Sequence, residues 1–181
     1  MKFATIMSLF LSSFLQAQYN SGSYKLLKTI EQIEIRQYSP QLFVSYSEKS
    51  DNSSFRVLAN YIFGGNKDSE EIAMTSPVVI KLYKNNEMLF LMPAKYSRGN
   101  LPEPNDKNIK IVESPKTNKA VITYSGYSNS SKENRYIKEL KQVLKDYGIK
   151  HNNMFELFVY DPPYKLINRR NEIAVNIQNG D

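Results

Sequence analysis

The side chains best suited to chemistry are few in this chain and lie far apart. His151 is the only histidine. It could ligate a metal or move a proton near neutral pH, but its neighbours Lys150, Asn152 and Asn153 make a polar run that reads as surface. One His and no Cys exclude a multi-histidine metal centre, a thiolate site, a Cys nucleophile and any disulfide. Asp68, Glu70 and Glu71 are close in sequence. Glycoside chemistry, however, needs two carboxylates held a fixed distance apart across a substrate, and adjacent acids in a solvated turn do not supply that. Gly64-Gly65-Asn66 lacks the third glycine and the Lys-Ser/Thr of a phosphate cradle and reads as a helix stop. Walker, Rossmann, nucleophile-elbow and calcium-loop patterns are all missing. No catalytic residue emerges, and the expectation is a protein that is not an enzyme.

The elements that would position any site can be read from periodicity. Residues 24–49 are strand-like. Ile33, Ile35 and Gln37 alternate with Glu34, Arg36 and Tyr38; Pro40 breaks the run, and Leu42, Val44 and Tyr46 resume it. One long bent strand or two short ones are expected there. Phe55, Leu58, Ala59 and Ile62 follow at i, i+3, i+4 and i+7, which places them on one helical face ending at Gly64-Gly65, with Arg56 and Asn60 on the wetter side. Val78, Ile80 and Leu82 then pair with Met88, Phe90 and Met92 across a turn at Asn85-Asn86. Residues 94–106 read as a loop because Gly99, Pro102 and Pro104 prevent a regular element.

A second round resembles the first. Ile109 and Ile111 open a strand, and Ala120, Ile122 and Tyr124 belong to the next. Ser130 and Glu133 suggest a capping box for a helix whose inward stripe is Ile137, Leu140, Leu144 and Tyr147, with Lys138, Lys141 and Lys145 on a solvated face and Gly148 at its end. Two strands close the round, one with Phe155, Leu157 and Val159 and one with Ile173, Val175 and Ile177, separated by Pro162-Pro163. Both rounds therefore read as two strands, a helix and two strands. That order excludes a simple βαβ dinucleotide fold.

Length and charge set further bounds. The 181 residues suit one domain, and a net charge of +6 favours anionic partners in general without specifying nucleic acid. Met1-Lys2 precedes an apolar stretch over residues 3–15 that ends in Leu15-Gln16-Ala17. It is too short for a membrane-spanning helix of roughly 20 residues and has the form of a secretory signal peptide. The expected organisation is a signal peptide at 1–17, a linker at 18–23 and one domain over 24–181, in a secreted or periplasmic protein with no stable membrane insertion after processing.

Taken together, FRVLANYIFGGN (55–66), IAMTSPV (72–78), LMP (91–93), LPEP (101–104) and RRNE (169–172) resemble the SOUL/haem-binding protein family over roughly residues 24–177. The resemblance implies an α+β fold, a duplicated distorted antiparallel β-barrel flanked by two α-helices. It also implies non-catalytic binding or carriage of haem or another porphyrin. A tetrapyrrole offers a flat apolar body and two carboxylates. The ligand-binding set expected on this chain is therefore Phe55, Leu58, Ala59 and Ile62 as groove wall, with Arg56 and Lys67 for the propionates. Residue by residue, the same apolar positions also fit a helix buried on a sheet. Thr75, Ser76 and Pro77 can serve a turn, and no iron ligand is assigned because the only histidine follows the second helix. The alternative function is a protein-interaction or small-ligand domain that keeps the scaffold without haem.

Overall fold

The computed structural model describes residues 24–47, 53–85 and 87–178; the expected signal peptide and linker lie outside the described residues. The strands are β1 (Tyr24–Ile30), β2 (Ile33–Tyr38), β3 (Gln41–Tyr46), β4 (Val78–Lys81), β5 (Glu87–Leu91), β6 (Lys110–Ser114), β7 (Thr117–Ser125), β8 (His151–Val159) and β9 (Arg170–Ile177). The helices are α1 (Ser54–Ile62), between β3 and β4, and α2 (Ser130–Asp146), between β7 and β8. Three strands precede α1, not two, because Glu31 takes a positive φ of 50° and turns the chain between β1 and β2.

All nine strands form one antiparallel sheet in the order β1-β2-β7-β9-β8-β4-β5-β3-β6. The expected barrel is corrected here: the order begins at β1 and ends at β6, and among the described residues no ladder joins these two edges. Alternation of apolar residues identifies strands, but closure also requires matched strand tilt and stagger, which alternation does not carry. The edge β1 has a bulge between Leu26 and Lys28 and an exposed run of side chains, both of which discourage further pairing.

Apart from β1, the order is palindromic. The four strands β2, β7, β9 and β8 form one half, and β6, β3, β5 and β4 form the other, joined where β8 pairs with β4. The first strand of each round crosses to the other half: β2 pairs with β7, and β6 pairs with β3. The element repeat therefore becomes an interlocked pair of half-sheets.

Each helix covers its own half on the same side of the sheet. Leu140, Val143 and Leu144 of α2 pack on Ile33, Ile35, Ile122, Ile173 and Val175. Leu58, Tyr61 and Ile62 of α1 pack on Leu42, Val44, Phe90 and Met92. The opposite face carries a third apolar cluster that includes Tyr38, Phe43, Val79, Leu89, Leu91 and Phe158, drawn from both halves. Along β5, Leu89 and Leu91 thus face one way and Phe90 the other, as the two-residue strand period requires. The sheet is buried on both sides at its centre.

Candidate functional site

The nine-residue α1 buries Leu58, Tyr61 and Ile62 almost completely. Their positions put the centre of the buried stripe between Leu58 and Tyr61, so Phe55 and Ala59 fall at its margin and Arg56 points nearly opposite. Phe55 is 44% exposed and sets its ring against Phe90, with centroids 5.3 Å apart and planes 63° apart. Ala59 is half-buried. Phe63, whose N–H still donates to the Ala59 carbonyl at 3.0 Å, continues the i, i+4 series and is 67% exposed. An apolar strip of Phe55, Ala59 and Phe63 therefore runs along the outer edge of the helix.

The expected ligand set divides accordingly. Phe55, Arg56 and Ala59 share the outer side of α1, whereas Leu58 and Ile62 are core contacts closed to any ligand. Lys67 stands exposed on the following turn, where its backbone N–H donates to the Glu103 carbonyl at 2.8 Å. Among the described residues, neither the Arg56 guanidinium nor the Lys67 ammonium has a hydrogen-bond or ion-pair partner. Arg56 also lines a cleft of about 300 Å³ with Val57, Asn60, Gly65, Asp106 and Ile109. Phe63 was absent from the expected set because Gly64-Gly65 marks the helix end; its spacing of four from Ala59 was the available signal.

The turn after α1 is held firmly. Asn66 is almost fully buried: its Nδ2 donates to the carbonyls of Tyr61 at 3.1 Å and Glu70 at 2.7 Å, and its Oδ1 accepts from the Glu70 N–H at 3.0 Å. Tyr61 donates its hydroxyl to the Pro102 carbonyl at 2.7 Å, tying α1 to the loop that contains LPEP. Gly65 passes close to Asn60: a Cβ there would collide with the Asn60 side-chain Nδ2 and lie 2.6 Å from its carbonyl oxygen. Only glycine fits, and the GGN motif is accordingly a helix stop with a fixed exit. Thr75 donates its hydroxyl to the Leu91 carbonyl, and the Ser76–Pro77 bond is cis.

The remaining chemically able residues do not converge. Glu70 accepts from the Tyr96 hydroxyl and from Lys95, which hold its carboxyl below the ordinary range despite some desolvation, while Asp68 and Glu71 are exposed. Among the described residues, no three His, Asp or Glu side chains are placed to hold a metal ion. His151 is half-buried at the start of β8, not on a loop, with its ring edge against Phe155. Burial, then the charge of Lys141, lowers its pKa. It belongs to the half under α2, away from the strip on α1.

RRNE closes a buried network that the sequence did not suggest. Glu172 is 0% exposed and accepts from Arg36 through two nitrogens at 2.8 and 3.1 Å, from Arg170 at 2.7 and 3.1 Å, from Thr123 at 3.2 Å and from Tyr160 at 2.8 Å. Burial raises the Glu172 pKa, but the hydrogen bonds and charge of Arg36, with Arg170, outweigh it and leave the carboxyl below its ordinary value. Burial likewise opposes the Arg36 charge, and Glu172 more than restores it. With every Glu172 lone pair engaged, this is a structural clamp across β2, β7 and β9.

Comparison with known proteins agrees with this architecture. A family model described as "SOUL heme-binding protein" matches residues 19–176. "Heme-binding protein 1" of Xenopus laevis is 28% identical over 155 residues, covering 77% of this chain and 80% of the relative. "Heme-binding protein 2" of Homo sapiens is 26% identical over 163 residues, covering 77% and 75% respectively. Among solved structures, the EcmrR C-terminal domain superposes with a TM-score of 0.57 at 17% identity over 84% of this chain and all of that one, a likeness of fold alone. On the extent of the family match, the chain belongs to the SOUL heme-binding protein family.

Proposed function

We propose that this protein binds or carries haem or a related tetrapyrrole, without chemistry upon it, on the outer margin of α1. The observation that carries this reading is the apolar strip of Phe55, Ala59 and Phe63 beside Arg56, which has no partner among the described residues, on a helix whose buried side is already filled. Phe55 and Phe63 present ring surface to the flat macrocycle, and Ala59 between them leaves room for close approach. Arg56 and the more distant Lys67 are the cations for the propionates. Leu58 and Ile62 hold the helix in place and do not touch the ligand. Family membership independently supports the same ligand class.

The residues fit the porphyrin better than its iron. The strip supplies no imidazole, thiolate, thioether or phenolate, the groups that usually hold haem iron. Recognition then rests on the ring face and the carboxylates, so metal-free protoporphyrin is expected to bind within a few-fold of haemin. An absorbance titration with haemin tests the proposal. A saturable 1:1 Soret shift is expected, and a linear response equal to that of a charge-matched unrelated protein would favour an interaction domain without haem.

We also propose a secreted or periplasmic location, supported by the apolar stretch at 3–15 and the Leu15-Gln16-Ala17 boundary. N-terminal sequencing of protein recovered from its native compartment should begin at Gln18.

A further inference from the structure

The face of the sheet opposite the helices holds a cavity of about 200 Å³ between the two halves. One wall is apolar: Phe43, Val79, Leu89 and Leu91 come from β3, β4 and β5, and Phe158 from β8. The other side carries Lys81, Lys119 and Glu156, with the ring of Tyr38. Its rim includes the exposed Glu113 and Pro115 near the β6–β7 turn. An engineered apolar cavity of about 150 Å³ is known to take up benzene. This one has room for a six-membered ring with a short substituent, but it is smaller than the roughly 300–1,000 Å³ usual for larger ligands. It is too small for a tetrapyrrole.

The polar groups on its wall are mostly donors with capacity to spare. Lys119, whose side chain is 10% exposed, donates to Glu156 at 2.6 Å and to Asn176 at 2.7 Å and stands 6.0 Å from the centre of the Phe158 ring, so one of its three N–H groups has no oxygen or nitrogen acceptor among the described residues. Lys81 donates once, to Glu87 at 3.2 Å. The Tyr38 hydroxyl accepts from Arg36 at 3.3 Å, and among the described residues it donates to no partner. Against these donors stand Glu156, already neutralised by Lys119, and Glu113 at the exposed rim. A buried ion pair such as Lys119–Glu156 is weak support for stability compared with apolar packing. Beside an apolar cavity, its unused donor makes a head-group site.

We propose that this cavity is a second ligand site, separate from the margin of α1, for a small monocyclic carboxylate: the ring lies on Val79, Leu89, Leu91 and Phe158, and the carboxylate accepts from Lys119 and Tyr38. Placement on the opposite side of the sheet from α1 makes it independent of tetrapyrrole binding.

Nuclear magnetic resonance titration of the ¹⁵N-labelled protein without porphyrin tests this, using benzoate, benzyl alcohol and benzylamine as matched probes. Benzoate should give saturable shifts at the amides of Val79, Leu89 and Phe158, at least about tenfold tighter than either other probe, as a charge-assisted hydrogen bond implies. Replacing the ion pair by Lys119→Met with Glu156→Met should leave benzoate no tighter than benzyl alcohol. Absent shifts, shifts scattered over surface lysines, or benzylamine binding as tightly as benzoate would overturn the proposal. The comparison of the three probes on the unaltered protein decides the matter even where the double variant fails to fold. Because no porphyrin is present, the result is independent of the haemin titration.

Discussion

The two halves of the sheet share strand order and helix placement but differ in where they keep charge. The half made of β2, β7, β9 and β8 encloses Arg36, Glu172, Lys119 and Glu156 on the face away from α2, and α2 presents Lys138, Lys141 and Lys145 to solvent. The half made of β6, β3, β5 and β4 lines the same face, away from α1, with Phe43, Val79, Leu89 and Leu91, and α1 leaves Phe55 and Phe63 outside. One half is held by a charged clamp and closes its helix with lysines. The other keeps a smaller buried ion pair, Lys81–Glu87 at 3.2 Å, and has apolar surface left over on its helix. A repeat of this kind separates tasks: the clamped half can be rigid while its counterpart offers a binding margin.

The sharpest way to break the contrast is to remove the clamp. Glu172→Leu removes the buried counter-ion of Arg36, 1% exposed, and leaves it only the part-exposed Glu34 at 2.6 Å, so a cost of about 3 kcal/mol, the low end for a broken buried pair, is expected in urea unfolding. A loss below about 1 kcal/mol would mean that the charged half is held by its apolar layer alone. Next in size is Leu58→Ala. Its side chain is 0% exposed, so a loss of about 2–5 kcal/mol is expected, and Leu140→Ala on α2, also 0% exposed, should match it. Equal costs would place the difference between the halves outside the helix cores.

Binding should separate the helices where stability does not. Arg56→Ala, at an exposed position, should leave urea stability nearly unchanged but weaken haemin about tenfold, the loss of one charge-assisted contact. Lys141→Ala on α2 should leave haemin affinity as it was. Equal effects of the two substitutions would reduce the contrast to net charge.

The smallest effect concerns pH. The Glu172 carboxyl is held below its ordinary value, so its contribution is complete above about pH 4.5 and is lost as pH falls through the folded value. His151 is also depressed, chiefly by burial, so folding favours the neutral ring. Its contribution is complete above pH 6.5 and declines as the unfolded chain takes up a proton below that point. In His151→Gln the decline in urea midpoint just below pH 6.5 should disappear, while the steeper fall at acid pH remains.

How much of this was legible varied with the range of the interaction concerned. Local periodicity marked α1, α2 and the strands from β4 onward, and Gly64-Gly65 ended α1 where expected because the positive φ at Gly64 and the close approach at Gly65 are local demands. The start of α2 shifted slightly: Asn129, not Ser130, caps it by accepting from the Lys132 N–H at 2.9 Å. Arg36 was misleading. In the alternating run of β2 it has the place of a solvent-facing residue, and nothing nearby signals burial because its partner Glu172 lies 136 positions away. Barrel closure failed for a similar reason: it depends on whether β1 and β6 meet, a relation between distant edges. The split of the expected site into core and margin was partly readable, since Leu58 and Ile62 need only a modest rotation of the helical stripe to exclude Phe55 and Ala59 from its centre.

The most direct test of the margin of α1 as the tetrapyrrole site is to map ring-current shifts from zinc protoporphyrin on the ¹⁵N-labelled protein. The largest shifts should fall on the amides of Phe55, Arg56, Ala59 and Phe63, with α2 and the cavity on the opposite face of the sheet unmoved. Shifts centred on α2, or on Val79, Leu89 and Phe158, would contradict that location.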